Sequence, residues 1–259
     1  MDFQLTKEQK DIRQAARDFA EKEIRDIARE YDQKEEFPVD LWKKACDLGF
    51  VGVYIDEAYQ GPGLGYFEAA LIMEQFWRVD PGCGCILLTS FGAELIQNFG
   101  TEEQKRKYIP PIPQGKAIMG AAITEPDAGS DIFGVTTSAA KDGDAYAING
   151  TKMFITNGSL ADYLAVYCLT NPDAKSRYER YSFFIVEKDL WPLRGCSYTQ
   201  VLSGGSIRLR PRELLEYQDG NRTLYMALCR TTPLVFPQRC SRQTGLTSCN
   251  CVVFGSHSP

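Results

Sequence analysis

Two short stretches hold the residue types that could do chemistry. The first is Ile123-Thr124-Glu125-Pro126-Asp127-Ala128-Gly129-Ser130-Asp131, at the end of an apolar run. Thr124 and Ser130 supply hydroxyls there, and Gly129 lets another backbone or a ligand come close. Successive N–H groups in such a turn can form an anion-binding nest. The same residues also make an ordinary strand-to-loop turn, where Thr, Asp, Gly and Ser are expected for local reasons. The second stretch is Asn149-Gly150-Thr151-Lys152-Met153-Phe154-Ile155-Thr156-Asn157-Gly158. Phe154 beside the hydroxyl of Thr156 could flank a flat ring and hydrogen-bond its edge. Taken alone, that stretch equally describes a core aromatic and a turn threonine.

Other chemistry is pruned quickly. The chain has one histidine, His257, in the terminal Gly255-Ser256-His257-Ser258-Pro259. Ser-His-Asp and Cys-His arrangements need an imidazole between nucleophile and orienting group, and a fraying terminus is a poor place for one. Cys249-x-Cys251 near His257 is not a zinc spacing, so no metal site is expected.

The elements that must position the two stretches follow from periodicity. Thr6-x-x-Gln9 is a capping box, and Ile12, Ala16, Ala20, Ile24, Ile27 and Tyr31 behind it form one apolar helical stripe. Pro38 opens a second helix carrying Leu41, Trp42, Ala45 and Leu48, which Gly49 ends. A glycine-rich loop, Gln60 to Gly65, precedes a third helix from about Tyr66 to Trp77. A fourth, apolar helix is predicted from Ile86 to Phe99, and Thr101-x-x-Gln104 caps a short fifth to about Ile109. Pro110-Pro111-Ile112-Pro113 reads as an extended linker. Beyond it the pattern turns to strands: Ala117–Ile123, Ala145–Ile148 between the Asp142-Gly143 and Asn149-Gly150 turn signals, Lys152–Thr156, Tyr163–Leu169 and Tyr181–Val186. Helices followed by strands, without βαβ alternation, give an α+β class.

Composition adds a seam. The chain has 259 residues, 29 Lys+Arg and 34 Asp+Glu, a formal charge of −5. That balance argues against a general nucleic-acid binder. No apolar run is long enough to span a bilayer, and Met1-Asp2-Phe3-Gln4-Leu5 does not resemble a signal peptide. A cytoplasmic, reducing location is therefore expected, with the nine cysteines as thiols. Residues 1–190 carry a net charge of −10, whereas 191–259 carry +5, with no lysine and five of the nine cysteines. The tail interrupts every candidate element, and Gly220-Asn221 breaks a weak helical pattern from Leu214 to Leu228.

Together, at their separation and after this helical block, the two stretches resemble the hallmarks of the acyl-CoA dehydrogenase family of flavoproteins. One is a Thr-Glu-Pro-x-Ala-Gly-Ser-Asp loop, the other Asn-Gly-x-Lys-x-(aromatic)-Ile-Thr-Asn. Asp56-Glu57-Ala58-Tyr59, Arg78-Val79-Asp80, Phe91-Gly92-Ala93 and Phe99-Gly100-Thr101-Glu102-Glu103-Gln104-Lys105 add to the likeness over residues 1–190. The resemblance implies an N-terminal all-helical domain over 1–113 and part of a β-barrel-like, FAD-holding domain over 114–190. An irregular tail over 191–259 would follow, read as a shifted frame or an altered gene end.

The resemblance also implies roles. Ala122, Ile123, Thr124, Gly129 and Ser130 would line the flavin and its pyrophosphate, with Thr124 on the pyrimidine edge. Ser130 would serve both the FAD phosphate and the acyl-CoA. Phe154, Ile155 and Thr156 would pack on the flavin, with the Thr156 hydroxyl near N5, where hydride arrives. The family most often has Trp at the Phe154 position; Phe keeps the apolar flank and lacks the indole N–H. The implied reaction is α,β-dehydrogenation of an acyl-CoA thioester in fatty-acid metabolism, with an electron-transfer flavoprotein as acceptor and a homo-oligomeric assembly. The family's glutamate base comes from a C-terminal helical domain that has no counterpart here, and the tail's Glu213 and Glu216 are not assigned that role. An impaired enzyme is thus expected, the alternative being a non-enzymatic fragment with residual FAD or acyl-CoA binding.

Overall fold

The computed structural model describes residues 4–143 and 145–188, together with five strand segments between Leu193 and Cys229. His257, Cys249, Cys251 and Glu213 lie outside the described residues.

Among the described residues, seven α-helices come first. α1 (Lys7–Phe19) opens with the predicted capping box: Gln9 N donates to Thr6 Oγ1 at 3.1 Å, and Thr6 N to Gln9 Oε1 at 3.0 Å. A π turn over Ala20–Ile24 interrupts the predicted stripe before α2 (Ala28–Lys34), yet Ala16, Phe19, Ala20 and Ile24 all stay buried. α3 (Val39–Asp47) buries Leu41, Trp42 and Ala45. Leu48, expected beside them, is 61% exposed: it sits at the C-cap, where the backbone leaves helical geometry and the period no longer applies. α4 (Tyr66–Val79) is tied to α1 by Gln9 Nε2, which donates to Glu68 Oε1 at 2.9 Å.

The single helix predicted from Ile86 to Phe99 is broken. After α5 (Pro81–Gly84), Cys85–Thr89 forms a 3-10 turn, and α6 (Ala93–Phe99) starts only after Gly92 at φ +106°. Thr89 closes that turn by donating its hydroxyl to Ile86 O at 2.7 Å, and it accepts from Trp42 Nε1 at 2.9 Å. The left-handed backbone at Gly92 then redirects the chain, which a continuous helix could not do. α7 (Glu102–Tyr108) has the second capping box.

Residues 110–116 are not an extended linker. Ile112 N bonds to Ile109 O and Gly115 N to Ile112 O, so the prolines shape consecutive turns. Ile109 and Ile112 are fully buried, in one cluster with Met119, Ala165 and Ile185 of the sheet. Helices and sheet therefore share a core, and burying those isoleucines contributes about 2 kcal/mol each.

The sheet is built around β4 (Tyr163–Leu169), which pairs in parallel with β1 (Met119–Ala122) and antiparallel with β5 (Tyr181–Glu187). β2 (Ser138–Asp142) and β3 (Ala145–Asn149) form a hairpin, and β2 joins β4 at Ser138↔Leu169. In the tail, β6 (Leu193–Arg194) pairs with β7 (Val201–Leu202), and β8 (Ile207–Leu209) pairs with β3. β9 (Leu215–Asp219) and β10 (Arg222–Cys229) form a hairpin in place of the predicted weak helix. Asp219 pairs with Arg222 in that ladder, and Gly220-Asn221 lie outside the described residues. The order of the larger sheet is β8-β3-β2-β4-β5-β10-β9.

Candidate functional site

β1 delivers the first stretch. Ala122 is fully buried at its end, Ile123 and Thr124 are half-buried, and the chain then turns over Glu125–Ala128, where Glu125 N donates to Ala128 O at 2.8 Å. Gly129 and Ser130 emerge exposed. A methyl added at Gly129 would meet nothing within 4 Å, so the space above this turn is open. Asp131 then accepts from Phe133 N at 3.1 Å, capping a 3-10 turn over Ile132–Gly134.

The second stretch is not the strand predicted over Lys152–Thr156. It crosses irregularly, with one backbone bond to the first stretch: Met153 N donates to Thr124 O at 3.0 Å. Phe154 then takes φ +58°, a left-handed conformation incompatible with a strand, and is 63% exposed. Ile155 turns inward, and Thr156 faces outward. The Thr156 carbonyl passes over Gly120 of β1, where an added methyl would lie 3.1 Å from it. The second stretch thus runs alongside β1, with Met153 at Thr124 just past the strand end and Thr156 over Gly120. An exposed aromatic held in a strained backbone is the kind of outlier that marks a ligand clamp.

What joins the stretches is a pair of charges that sequence reasoning did not single out. Lys152 is fully buried, and its Nζ donates to Glu125 Oε1 and to Ile123 O, both at 2.8 Å. Glu125, 5% exposed, also accepts from Thr136 N, the Thr136 hydroxyl and Thr137 N. Burial alone would raise the Glu125 pKa, but Lys152 and the threonine donors outweigh it and hold the carboxyl at about 2. Burial pushes the Lys152 ammonium down, with Glu125 opposing. The available signal is one acidic and one basic residue, one inside each of the two stretches.

The Glu125 shift has a pH consequence. Its folded pKa of about 2 lies below its ordinary 4.5. Its stabilisation is therefore complete above about pH 4.5 and is lost as pH falls towards 2, amounting to at most about 3 kcal/mol. Urea unfolding at pH 7, 4.5 and 3 is expected to show a steeper loss for the native chain than for Glu125→Gln. Parallel curves would show that the carboxylate is not held in this way.

Comparison with known proteins gives this geometry a context. The family model described as acyl-CoA dehydrogenase, N-terminal domain, matches residues 6–116, and that for the acyl-CoA dehydrogenase middle domain matches residues 120–208. The chain belongs to the acyl-CoA dehydrogenase family. A short-chain specific acyl-CoA dehydrogenase of Clostridium acetobutylicum is 38% identical over 221 residues, covering 85% of this chain and 57% of that protein. The solved acyl-CoA dehydrogenase of Geobacillus kaustophilus superposes with a TM-score of 0.73 at 32% identity, over 82% of this chain and 58% of the other. A glutaryl-CoA dehydrogenase of Mycobacterium smegmatis, solved in complex with FADH2, gives a TM-score of 0.71 at 27% identity, over 80% of this chain and 55% of the other. The chain spans about half the length of the curated relatives it matches. The middle-domain match runs past the composition break at residue 190. Among the described residues no helix is long and apolar enough to cross a membrane.

Proposed function

We propose that this chain provides the flavin-binding and thioester-binding portion of an FAD-dependent acyl-CoA dehydrogenase. The observation that carries the reading is the junction along β1, where the Met153–Thr124 bond and the Glu125–Lys152 pair fix the segment leading into Phe154–Thr156 beside Thr124, and the Thr156 carbonyl lies over Gly120. The residues fit the cofactor. Open space over Gly129 and exposed Ser130 leave room for a phosphate, and the exposed Phe154 ring offers an apolar wall for a flat heterocycle. FAD, when bound, would supply the hydride acceptor. Ala122, Ile123, Thr124, Gly129 and Ser130 would hold it on one side, and Phe154, Ile155 and Thr156 on the other. Ser130 would also meet the acyl-CoA.

The reading assigns no catalytic base to the described residues. Glu125 is the buried carboxylate nearest the junction, but it is held ionised by Lys152 and the Thr136–Thr137 donors, and a pKa of about 2 makes it a poor proton acceptor. An electron-transfer flavoprotein as acceptor and a cytoplasmic location belong to the same reading. Among the described residues four thiols, Cys46, Cys83, Cys85 and Cys168, are free, which fits a reducing compartment.

The test is to titrate the purified chain with FAD, following flavin absorbance and fluorescence, and then to add an acyl-CoA. A bound yellow chromophore bleached by the thioester supports a competent enzyme. Yellow but unbleached protein supports binding without turnover, and failure to bind FAD overturns the reading. Phe154→Gly sharpens it. The substitution relieves the left-handed strain and removes a largely exposed ring, so stability should hold or rise by up to about 1 kcal/mol. FAD affinity should fall roughly three- to tenfold, the worth of one aromatic stacking partner. Equal losses in both quantities would remove Phe154 from the site.

A further inference from the structure

The turn that carries Ser130 and Asp131 is anchored from outside the site. Phe133 follows it within the 3-10 turn Ile132–Gly134. Its ring is contacted by residues between β4 and β5 or at the start of β5. The Arg177 guanidinium lies 4.5 Å from the Phe133 centroid, and the Tyr178 ring stands edge-on at 5.4 Å. Tyr181 packs at 5.9 Å, and its hydroxyl donates to the Phe133 carbonyl. Tyr181 in turn stacks on Tyr167 at 5.0 Å, both buried in a small core cluster with Ala128 and Val135. A continuous line of contacts therefore runs from the sheet to the turn, with Arg177 outermost. Arg177 also donates to the Tyr178 hydroxyl at 3.1 Å, which fixes the guanidinium against both rings.

From these contacts we infer that Arg177 is a positioning residue for the Ser130–Asp131 turn, acting through the ring of Phe133. The inference rests on the site reading above. The guanidinium is always charged and planar, so it stacks on an aromatic face at any physiological pH, where a short polar side chain could not. The 3-10 turn is only three residues long, and Asp131 accepts from Phe133 N and Gly134 N at its start. Such a short turn has little stability of its own. Its order must come from what packs on Phe133, and Arg177 closes the solvent side of that packing.

Hydrogen exchange on the full chain reads this directly, without any ligand. Arg177→Ala is expected to speed exchange at the Phe133 and Gly134 amides roughly two- to fivefold, the size of one exposed cation–π contact, while the amides of the β2–β3 hairpin stay unchanged. Arg177→Lys should recover part of the protection. Phe133→Leu should have the larger effect, and adding Arg177→Ala to it should change nothing further, because both act through one contact. In parallel, titration with CoA should give an affinity lowered by a similar factor in Arg177→Ala. Unchanged exchange at Phe133 and Gly134, or equal acceleration throughout the β-sheet, overturns the positioning role. A native chain that binds neither FAD nor CoA overturns the site reading instead, and the exchange data still decide the role of Arg177.

Discussion

Replacing Lys152 with methionine is expected to lower the unfolding free energy by about 3–5 kcal/mol, the range for a buried pair that loses one partner. The ammonium meets two oxygens, Glu125 Oε1 and Ile123 O, and no part of it is exposed. Methionine fills similar volume but donates nothing. It leaves a carboxylate with no cation beside it and a main-chain carbonyl that loses its Lys152 donor. The Glu125 pKa, now about 2, must then rise, because burial becomes the dominant influence while only the Thr136 and Thr137 donors still favour the anion. The sign of the pH dependence reverses with it. In the native chain this pair loses stabilisation as pH falls. In Lys152→Met, protonating Glu125 relieves an unpaired charge, so the gap between native and variant should narrow between pH 7 and 4. Denaturant melts at both pH values read this. Glu125→Gln combined with Lys152→Met should recover part of the loss, since the buried charge is gone and the amide oxygen can still accept. A deficit below about 1 kcal/mol would mean that the pair behaves as a solvated surface bridge.

The same pair shows why the site was only half legible in the sequence. Residues whose partners lie a few positions away read well: both capping boxes formed, because a hydroxyl and an amide three residues apart need nothing from the rest of the fold. β4 and β5 read well because long apolar, aromatic runs fit a buried strand whatever their neighbours. Glu125 and Lys152 are 27 residues apart, and their contact exists only once β1 and the Gly150–Thr156 crossing meet. No periodicity marks that event. The apolar run from Ile86 to Phe99 misleads for a related reason: its hydrophobicity says only that it is buried, whereas Gly92 and the Thr89–Trp42 bond decide where it bends. Pro110–Pro113 carries the composition of a linker, yet the isoleucines flanking and within it are core residues, since proline constrains φ without preventing its neighbours from packing. Phe154 is the converse case. The apolar stretch around it predicts a strand, and its left-handed backbone, invisible in composition, turns the ring to the surface.

Gly150→Ala should produce the second large effect, through backbone rather than charge. A methyl there would stand 2.3 Å from Thr137 Oγ1 and 2.6 Å from Thr137 Cα. The hydroxyl could rotate away, but the Cα cannot, so one of the two strand ends must move. Thr137 N is one of the donors holding Glu125, and Gly150 lies two residues before Lys152. Displacing either end therefore strains the ion pair as well as the contact. Overpacking of this kind typically costs about 1–3 kcal/mol, and coupling to the pair places this case at the upper end. Gly129→Ala is the matching control. Its backbone is not left-handed and a methyl meets nothing within 4 Å, so thermal stability should stay within about 0.5 kcal/mol of native. FAD affinity should separate the two differently. Gly150→Ala should lose stability and binding together, because it moves the crossing that carries Phe154. Gly129→Ala should lose binding alone, because its methyl enters the open space over the turn where the cofactor would approach. If Gly129→Ala binds FAD as well as the native chain, that space is not part of the site, and the cofactor must approach from the Phe154 side.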